Sequence, residues 1–416
     1  MAQLSDDCFA FGGPLMSVEE AAALMAGRIT PLAATETVSL GEADGRVLAA
    51  DVRAQVSLPP FANSAVDGYA VRFDDLAQLG ETRLPLRGRV PAGAHATGLQ
   101  VPGAAIRIFT GAPMPQGTDT VFMQEDVTLS GDHAVLPPGL KRGANARLPG
   151  EDIAAGDIAL AAGQWLQPQA LALAAATGHT HLSVRARPRV AIFSTGNELA
   201  EPGAPLPPAA IYDANRVALV ALARRAGAAV TDLGILRDDP APLAAALSDA
   251  ATSYDLILTS GGVSTGEEDH VKAAVESVGS LVFWRIAIKP GRPVAMGVIK
   301  GAAFIGLPGN PVAAFVTFAF VVRPLLLALS GAAPEQVRRL PVTLGFDYRK
   351  KAGRREYVRV SLSGADGNVT AAKFPRDGAG VLTSLTRTDG LVELAEDMTD
   401  VKTGTMVPFL PYRMLI

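Results

Sequence analysis

The sequence predicts a multidomain α/β protein with a doubly wound α/β domain at its centre. Apolar strand-like runs alternate with helical stretches across residues 188–330, which is typical of a parallel sheet covered by helices on both faces. β-patterned segments flank this region on both sides, at 51–150 and 335–416. The chain has 416 residues, 49% of them hydrophobic, which is enough for about two to four domains with their own cores.

The N-terminal region carries helix and strand signals. Ser17 and Glu20 form a capping-box pattern, which predicts a helix over 18–26. A second helix is predicted over 167–177, where Pro168 suits a first helical position and Gly178 a helix end.

Residues 51–150 predict a small β-rich domain. The segment 59–70 is dense in turn formers, so a turn is the simplest interpretation of Asn63, Asp67 and Gly68. Proline and glycine separate short β-like runs, and little helical periodicity is present. These runs lie at 83–90, 105–109, 120–123 and 134–136.

The central region predicts six strands and four helices. Strands are expected at 189–194, 229–236, 255–260, 281–288, 294–298 and 303–306. Helices are expected at 214–226, 241–251, 270–278 and 311–329. Because Asn310 precedes Pro311, the last helix has a favourable N-cap and first position.

The C-terminal segment returns to a β pattern and predicts a small all-β domain. Its strands are expected at 342–346, 356–361, 368–373, 390–394 and 406–411.

Composition excludes several classes of protein. The formal net charge is −4 and the pI is near 5.8, which argues against a general nucleic-acid binder. The single cysteine, Cys8, excludes a disulfide framework and a cysteine-based zinc cluster, and it fits a reducing compartment.

No membrane segment is expected. The N-terminus lacks the basic-then-apolar order of a signal peptide. The apolar run at 312–329 is interrupted by Arg323 and Pro324, and its uninterrupted part is about half the ~20 residues that a span needs. We therefore expect a buried helix and a cytoplasmic protein.

Four glycine-bearing loops follow apolar runs in the central region. In a doubly wound sheet, ligands bind at the carboxyl ends of the strands. Small residues such as Ser260, Gly261 and Gly262 let the backbone approach a ligand closely, and loop N–H groups bind oxyanions. The pattern therefore predicts an anionic, phosphorylated ligand. The loops lie at 194–198, 259–269, 289–293 and 306–311.

The second loop differs from a Walker P-loop because no Gly-Lys-Ser/Thr follows it. It ends in Glu267, Glu268 and Asp269, at the start of the next helix. Acidic residues at this position favour the helix dipole, and they also suit Mg²⁺ held between carboxylate and phosphate oxygens. The spacing alone leaves both interpretations open.

Lys289 and Arg292 flank a Pro-Gly turn that is able to direct both side chains at one anion. Taken alone, two solvated loop cations are the simpler interpretation. No Ser/His/Asp or Cys/His nucleophile arrangement is evident. A hydrolytic step would therefore depend on water activated by a metal or oriented by a carboxylate.

In this order, the segments resemble the molybdopterin molybdenumtransferase family, which includes MoeA and the E domain of gephyrin. The resemblance covers nearly the whole chain, and the ordered set is specific although each piece is weak alone. The matching pieces are residues 60–72, 110–126, 141–153, 194–199, 212–216, 260–272, 289–293 and 306–312.

The resemblance implies an elongated homodimer with four parts in each protomer. These are a discontinuous linker domain (1–50 and 150–185), an inserted β-rich domain (51–149), an α/β domain similar to molybdopterin-binding adenylyltransferases (186–330) and a C-terminal β-barrel (335–416). It also implies a reaction in which adenylylated molybdopterin and molybdate yield molybdenum cofactor and AMP. Mg²⁺ assists as cofactor, and adenylate hydrolysis drives the insertion.

The resemblance also assigns roles to individual residues. The carboxylates that it implies on the Mg²⁺ and adenylate side are Glu198 and Asp269. The inserted domain contributes Asp67 and Thr110, across the dimer interface. The residues on the molybdate side are Ser264, Lys289, Arg292, Arg355 and Ser384.

Three positions depart from the family pattern. Arg292 stands where lysine is usual, Val66 replaces a common methionine, and Ala313 occupies a frequent serine position. These departures bear on affinity and anion choice, because the charge at Arg292 is kept but its geometry changes.

Two other functions stay open. One is an adenylyltransferase that acts on molybdopterin with ATP, because the α/β domain resembles that class as well. The other is a non-enzymatic scaffold related to gephyrin. A molybdopterin adenylyltransferase and apo-molybdoenzymes are the expected protein partners, and no nucleic acid is expected.

Overall fold

The computed structural model describes residues 4–5, 15–94, 101–261, 270–291, 293–334, 337–364 and 369–416. Within these ranges it contains three six-stranded sheets and several two-stranded pairs. One large sheet lies in the inserted region, one in the central region and one in the C-terminal region. The predicted multidomain α/β fold class is confirmed.

The first helix, α1 (Val18–Arg28), begins with the predicted capping box. The Glu20 N–H donates to Ser17 Oγ over 3.1 Å, and the Ser17 N–H donates to Glu20 Oε2 over 2.7 Å. Its apolar face, with Val18, Ala21 and Met25, is buried in the same core as the central sheet. Helix α1 therefore packs with the central region, whereas the sequence-based division assigned it to the linker domain.

Two distant segments of the chain pair beside this region. Strand β1 (Thr35–Ser39) runs antiparallel to β12 (His181–Arg185), and β2 (Val52–Arg53) runs antiparallel to β11 (Ile158–Leu160). Helix α2 (Pro168–Ala176) covers their core. The inserted region thus begins after β2 and ends before β11, which are paired with each other.

The inserted region forms a β-sheet of order β7-β4-β6-β5-β9-β8. Residue Gly68 begins β4, whose backbone lies so close to β7 that a Cβ at Gly68 would meet the Phe122 carbonyl oxygen at 1.9 Å. The interpretation of 59–70 as a turn is therefore wrong for its last residues, where glycine permits close strand packing. The strands are β3 (Asn63–Ser64), β4 (Gly68–Val71), β5 (Thr82–Val90), β6 (Ala105–Ile108), β7 (Thr120–Met123), β8 (Thr128–Ser130), β9 (His133–Leu136) and β10 (Ala146–Arg147).

The central region contains nine strands and five helices within the described residues. The strands are β13 (Arg189–Thr195), β14 (Leu199–Ala200), β15 (Ile211–Tyr212), β16 (Ala229–Leu236), β17 (Leu256–Ser260), β18 (Ser280–Arg285), β19 (Ile288–Lys289), β20 (Pro293–Ile299) and β21 (Ala302–Leu307). The helices are α3 (Ala214–Arg225), α4 (Pro240–Ala250), α5 (His270–Val278), α6 (Pro311–Thr317) and α7 (Arg323–Leu329). The predicted bounds of α5 are confirmed.

The central sheet has the order β16-β13-β17-β21-β20-β18. Its first four strands are parallel, as predicted, but β20 runs antiparallel to β21, and β18 runs antiparallel to β20. The expectation of a wholly parallel sheet is therefore wrong at one side. Only Lys300 and Gly301 separate β20 from β21, and a connection this short closes a hairpin but not a parallel crossover.

The long apolar helix runs through α6, a π-helical segment (Phe318–Val322) and α7. Because Pro324 has no N–H to donate, the regular hydrogen-bond ladder is broken, and the Arg323 N–H donates to the Phe318 carbonyl five residues back. Among the described residues this is the one helix apolar and long enough to span a membrane, but most of it is buried inside the protein. The prediction of a buried core helix is confirmed.

The C-terminal region closes into a β-barrel. Its strands pair in the circuit β24-β25-β22-β28-β26 and back to β24, and β19 of the central region adds to β24 as a parallel neighbour. The elements are β22 (Leu340–Leu344), β23 (Tyr348–Arg349), β24 (Arg355–Ser363), β25 (Thr370–Lys373), α8 (Thr383–Thr386), β26 (Gly390–Leu394), β27 (Asp400–Val401), β28 (Met406–Pro411) and α9 (Tyr412–Leu415). Closure removes the exposed edges that an open sheet would leave.

Candidate functional site

The predicted glycine loops meet at one edge of the central sheet. Ser194 is the register partner of Ser260, and Ser260 is the register partner of Leu307. The carboxyl ends of β13, β17 and β21 therefore lie side by side. On helix α3, the Asn215 side-chain amide donates to Ser260 Oγ over 2.9 Å and to the Gly309 carbonyl over 2.7 Å, and so ties two of the loops together.

A cleft of about 1010 Å³ separates this edge from the barrel. Residues of the central region form one wall, and they include Glu198, Gly261, Lys289, Gly309 and Asn310. Residues of the barrel form the other wall, and they include Tyr348, Arg349, Arg354, Glu356, Arg359 and Lys373. The cleft therefore combines backbone-rich loops on one side with several cations on the other.

A buried carboxylate, Glu356, organises part of the cationic wall. Lys289 Nζ lies 3.1 Å from Glu356 Oε2, and Arg354 Nε lies 3.0 Å from Glu356 Oε1. The Tyr348 hydroxyl also donates to Glu356 Oε2, over 2.9 Å. Burial and this hydrogen bond raise the pKa of Tyr348, so the hydroxyl keeps the proton that it donates.

Arg359 is a second cation in this wall, and it is only 8% exposed. Its guanidinium donates to the Gly378 carbonyl over 3.2 Å, whereas its Nε has no hydrogen-bond partner among the described residues. No carboxylate in the described part of the chain lies within 4 Å of it. Burial lowers the pKa of Arg359 below its ordinary value. A buried cation with an unused donor is suited to an anionic ligand.

Among the described residues, one carboxylate lines the opposite wall, and a second lies at the end of a neighbouring strand outside the cleft lining. Glu198 is exposed at the loop after β13. Asp238 follows the carboxyl end of β16, the strand next to β13, and its Oδ1 is buried without a hydrogen-bond partner among the described residues. Among those residues no group of three or more metal-ligating side chains is present. One or two carboxylates still fit Mg²⁺, which commonly takes its other ligands from phosphate oxygens and water.

Asp67 and Thr110 meet in the inserted region. The Thr110 N–H and its hydroxyl both donate to Asp67 Oδ1 over 2.8 Å. These hydrogen bonds lower the pKa of Asp67, so the carboxylate stays ionised at neutral pH. Neither residue lines the cleft of its own chain.

The structure does not bring every predicted site residue to the cleft. Arg355 does not line the cleft, and it pairs with Glu19 and Glu396 instead. Ser384 is fully buried and donates to the Val381 carbonyl over 2.5 Å. The residues Gly262, Ser264, Asp269 and Arg292 lie outside the described part of the chain.

Sequence reasoning missed several cleft residues. Asp238 does not line the cleft, but it follows the strand next to β13 just as the glycine loops follow theirs, so the carboxyl-end rule would have found it. Glu356 is a charged residue within an apolar strand, and such residues are rarely buried unless paired. The local sequence around Arg359 does not indicate that this residue lines the cleft, because its position depends on the strand pairing of the barrel.

Comparisons with known proteins point to one family. Three family models match successive parts of the chain. They are the MoeA N-terminal region, domains I and II, over residues 16–178, a probable molybdopterin binding domain over 191–328, and the MoeA C-terminal region, domain IV, over 341–412.

Similar full-length proteins agree with these matches. The molybdopterin molybdenumtransferase of Haemophilus influenzae is 36% identical over 97% of this chain and all of its own length. Molybdopterin molybdenumtransferase 2 of Mycobacterium tuberculosis is 38% identical over 89% of this chain and 93% of its own. The crystal structure of a molybdopterin biosynthesis MoeA protein from Pyrococcus horikoshii is 30% identical, with a TM-score of 0.80 over 96% of this chain and all of that one.

Proposed function

Because the chain belongs to the molybdopterin molybdenumtransferase family, whose members insert molybdenum during cofactor biosynthesis, we propose that it converts adenylylated molybdopterin and molybdate to molybdenum cofactor and AMP. The chain is an enzyme of this class. The observation that supports these substrates is the two-sided cleft. One wall has the glycine-bearing loops and the Glu198 carboxylate. The other has four cations beside three carboxylates, namely Arg349, Arg354, Arg359 and Lys373 with Asp347, Glu356 and Asp377.

The sheet-side wall is suited to the adenylate. Backbone N–H groups in the loops after β13, β17 and β21 are donors for phosphate oxygens. If Mg²⁺ is bound here, Glu198, Asp238 and Asp269 would hold it. The ion would supply charge neutralisation at the phosphates.

The barrel-side wall, together with Lys289 from the central region, is suited to molybdate, a tetrahedral dianion. Lys289 provides a half-exposed ammonium group, and Arg359 provides one buried donor, its Nε–H, that has no partner among the described residues. Ser264 and Arg292 complete the set in this proposal. We assign to Arg359 the role that the sequence had suggested for Arg355, and we assign no ligand contact to Ser384.

Cleavage of the adenylate consumes one water molecule. Water adds to one of the two phosphorus atoms of the diphosphate, and the bond from that phosphorus to the bridging oxygen breaks. If water adds to the phosphorus of the adenylate, AMP carries the oxygen of the water; if it adds to the other phosphorus, AMP keeps the bridging oxygen. With no nucleophilic side chain proposed, the residues act by binding and orienting the groups that react.

Asp67 and Thr110 belong to a different part of the chain from the cleft. We propose that they reach the cleft of a second copy in a homodimer. The hydrogen bonds from Thr110 keep Asp67 ionised, so that it would bring a fixed negative charge to the Mg²⁺ and adenylate side. We further propose that the enzyme works in the cytoplasm, and that the enzyme making the adenylate and the apo-molybdoenzymes are its partners.

An adenylyltransferase is the second candidate, and a scaffold is the third. The full-length relatives carry the transferase name, and a lone adenylyltransferase requires neither the inserted sheet nor the barrel wall of the cleft. These points favour insertion. Synthesis of adenylylated molybdopterin from ATP by this chain would favour the second candidate instead.

The test is to incubate the purified protein with adenylylated molybdopterin, Mg²⁺ and molybdate and to follow AMP by chromatography. We expect AMP release that depends on molybdate, with product that activates an apo-molybdoenzyme. No AMP and no active product would refute the proposal.

A first variant tests the assignment of the cationic wall. Replacing Arg359 with methionine should raise the KM for molybdate about tenfold or more, since a charge-assisted hydrogen bond contributes about 1.5–3 kcal/mol. Arg413→Met is the matched control, because Arg413 is exposed and does not line the cleft. Equal KM values for the two variants would contradict the role of Arg359.

A further inference from the structure

The buried carboxylate of Glu356 receives donors from three separate positions. It is 1% exposed, and its partners are Lys289 on the sheet side and Arg354 and Tyr348 on the barrel side. Burial of an ionised carboxylate is unfavourable unless it is paired and hydrogen-bonded, and here both conditions are met. The carboxylate therefore holds together one cation from each side of the cleft.

Strand pairing explains why these groups coincide. Lys289 in β19 is the register partner of Glu356 in β24. β19 is the short strand by which the central region joins the barrel, so the ion pair lies where the two units connect. Lys289 has a long side chain that is half exposed, and without Glu356 nothing in the described residues is within ion-pair distance of its ammonium group.

We propose that Glu356 is a positioning residue that orients Lys289 and Arg354 toward the molybdate site. This inference rests on the proposed function of the cleft. Two cations and one carboxylate leave this cluster with a net positive charge. Holding the ammonium group in place before the dianion arrives removes an ordering cost that a free lysine would meet on binding.

The test is Glu356→Gln, which keeps the shape of the side chain and an acceptor for Tyr348 but removes the charge. We expect the KM for molybdate to rise about tenfold, with the affinity for adenylylated molybdopterin unchanged. An unchanged KM would overturn the inference. A lower KM would overturn it too, because Glu356 would then be only a counter-ion that competes with molybdate.

A double-variant cycle shows whether Glu356 acts through the lysine. In a Lys289→Met background, Glu356→Gln should have a clearly smaller effect on the KM than in the wild type. Full additivity of the two effects would contradict the positioning role. Glu393→Gln is the matched control, because Glu393 is also a buried barrel carboxylate paired with an arginine, but it does not line the cleft.

Tyr348→Phe keeps the inference testable if Glu356→Gln does not fold. It removes one hydrogen bond to the carboxylate and no charge, and a KM increase of about threefold is expected. No increase would overturn the proposal. The wild-type assay separates the two levels of inference. Without molybdate-dependent AMP release from the wild type the proposed function fails, whereas normal wild-type turnover with an unchanged variant KM refutes only the role of Glu356.

Discussion

Replacing Arg216 with methionine should destabilise the region that carries the Glu198 loop. Arg216 lies on α3, is 5% exposed and contacts three carboxylates. Its Nε is 2.8 Å from Asp213 Oδ2, and its other nitrogens contact Asp232 and Glu201. These partners belong to β16 and to the segments around β14 and β15, so the arginine joins the end of the sheet to its loops.

The expected loss follows from the burial of each partner. Asp213 is 2% exposed, and the substitution would leave its carboxylate buried without its cation, which costs about 3–5 kcal/mol. Glu201 and Asp232 are about half exposed, and each adds at most about 1 kcal/mol. A loss of this size is a large fraction of the stability of an ordinary domain.

Acid should weaken the same cluster. Burial alone would raise the pKa of Asp232, but hydrogen bonds from Arg216 and from the Gly234 N–H outweigh it and lower the pKa. The native state therefore binds this proton less tightly than the unfolded chain. The stabilisation is present above the ordinary aspartate value of 3.8 and is lost as the pH falls through the lower folded value.

Hydrogen–deuterium exchange of peptides covering α3 and β14–β15 measures the effect locally, which avoids assuming that several domains unfold together. Arg225→Met is the control, since Arg225 is an exposed residue in the last turn of the same helix. A loss of protection below about 1 kcal/mol relative to this control would refute the reasoning, because removing the cation from a buried ion pair is expected to cost about 3–5 kcal/mol.

Two further predictions concern the site. Gly291→Ala should lower the thermal midpoint and cost about 2 kcal/mol or more of stability. Gly291 has φ +118°, and a Cβ there would meet the buried Thr317 Oγ1 at 2.6 Å. An unchanged midpoint would contradict this. Thr110→Ala should raise the pKa of Asp67 toward 3.8 but not above it, since the backbone N–H of residue 110 still donates to the carboxylate. A carbon-13 NMR titration measures this pKa, and no upward shift would contradict the assigned cause.

Local patterns predicted the central region well. The periodicity of α5 and the apolar runs of β13 and β17 located these elements, because burial on one or both faces selects the residue types directly. The antiparallel pairing of β20 was missed. An apolar run reports burial but not strand direction, which here follows from the two-residue connection to β21.

The site was predicted less completely, for reasons that depend on side-chain direction. The carboxyl-end rule placed Glu198 and Gly261 at the cleft, but the choice of Arg355 required knowing which face of β24 points inward. In the barrel, Arg355 pairs with Glu19 and Glu396, whereas its neighbours Arg354 and Glu356 line the cleft. Strand pairing of the barrel, which is non-local, carries that information.

The parallel pairing of β19 with β24 affects how the two walls of the cleft are able to move. Lys289 is part of the central region in sequence, but its backbone is hydrogen-bonded to the barrel. A hinge motion of the barrel would therefore carry Lys289 along with Arg354 and Arg359. The spacing among these cations would stay constant while their distance from the Glu198 loop changed. Opening and closing of the barrel would thus change the width of the cleft and leave the arrangement of these cations intact.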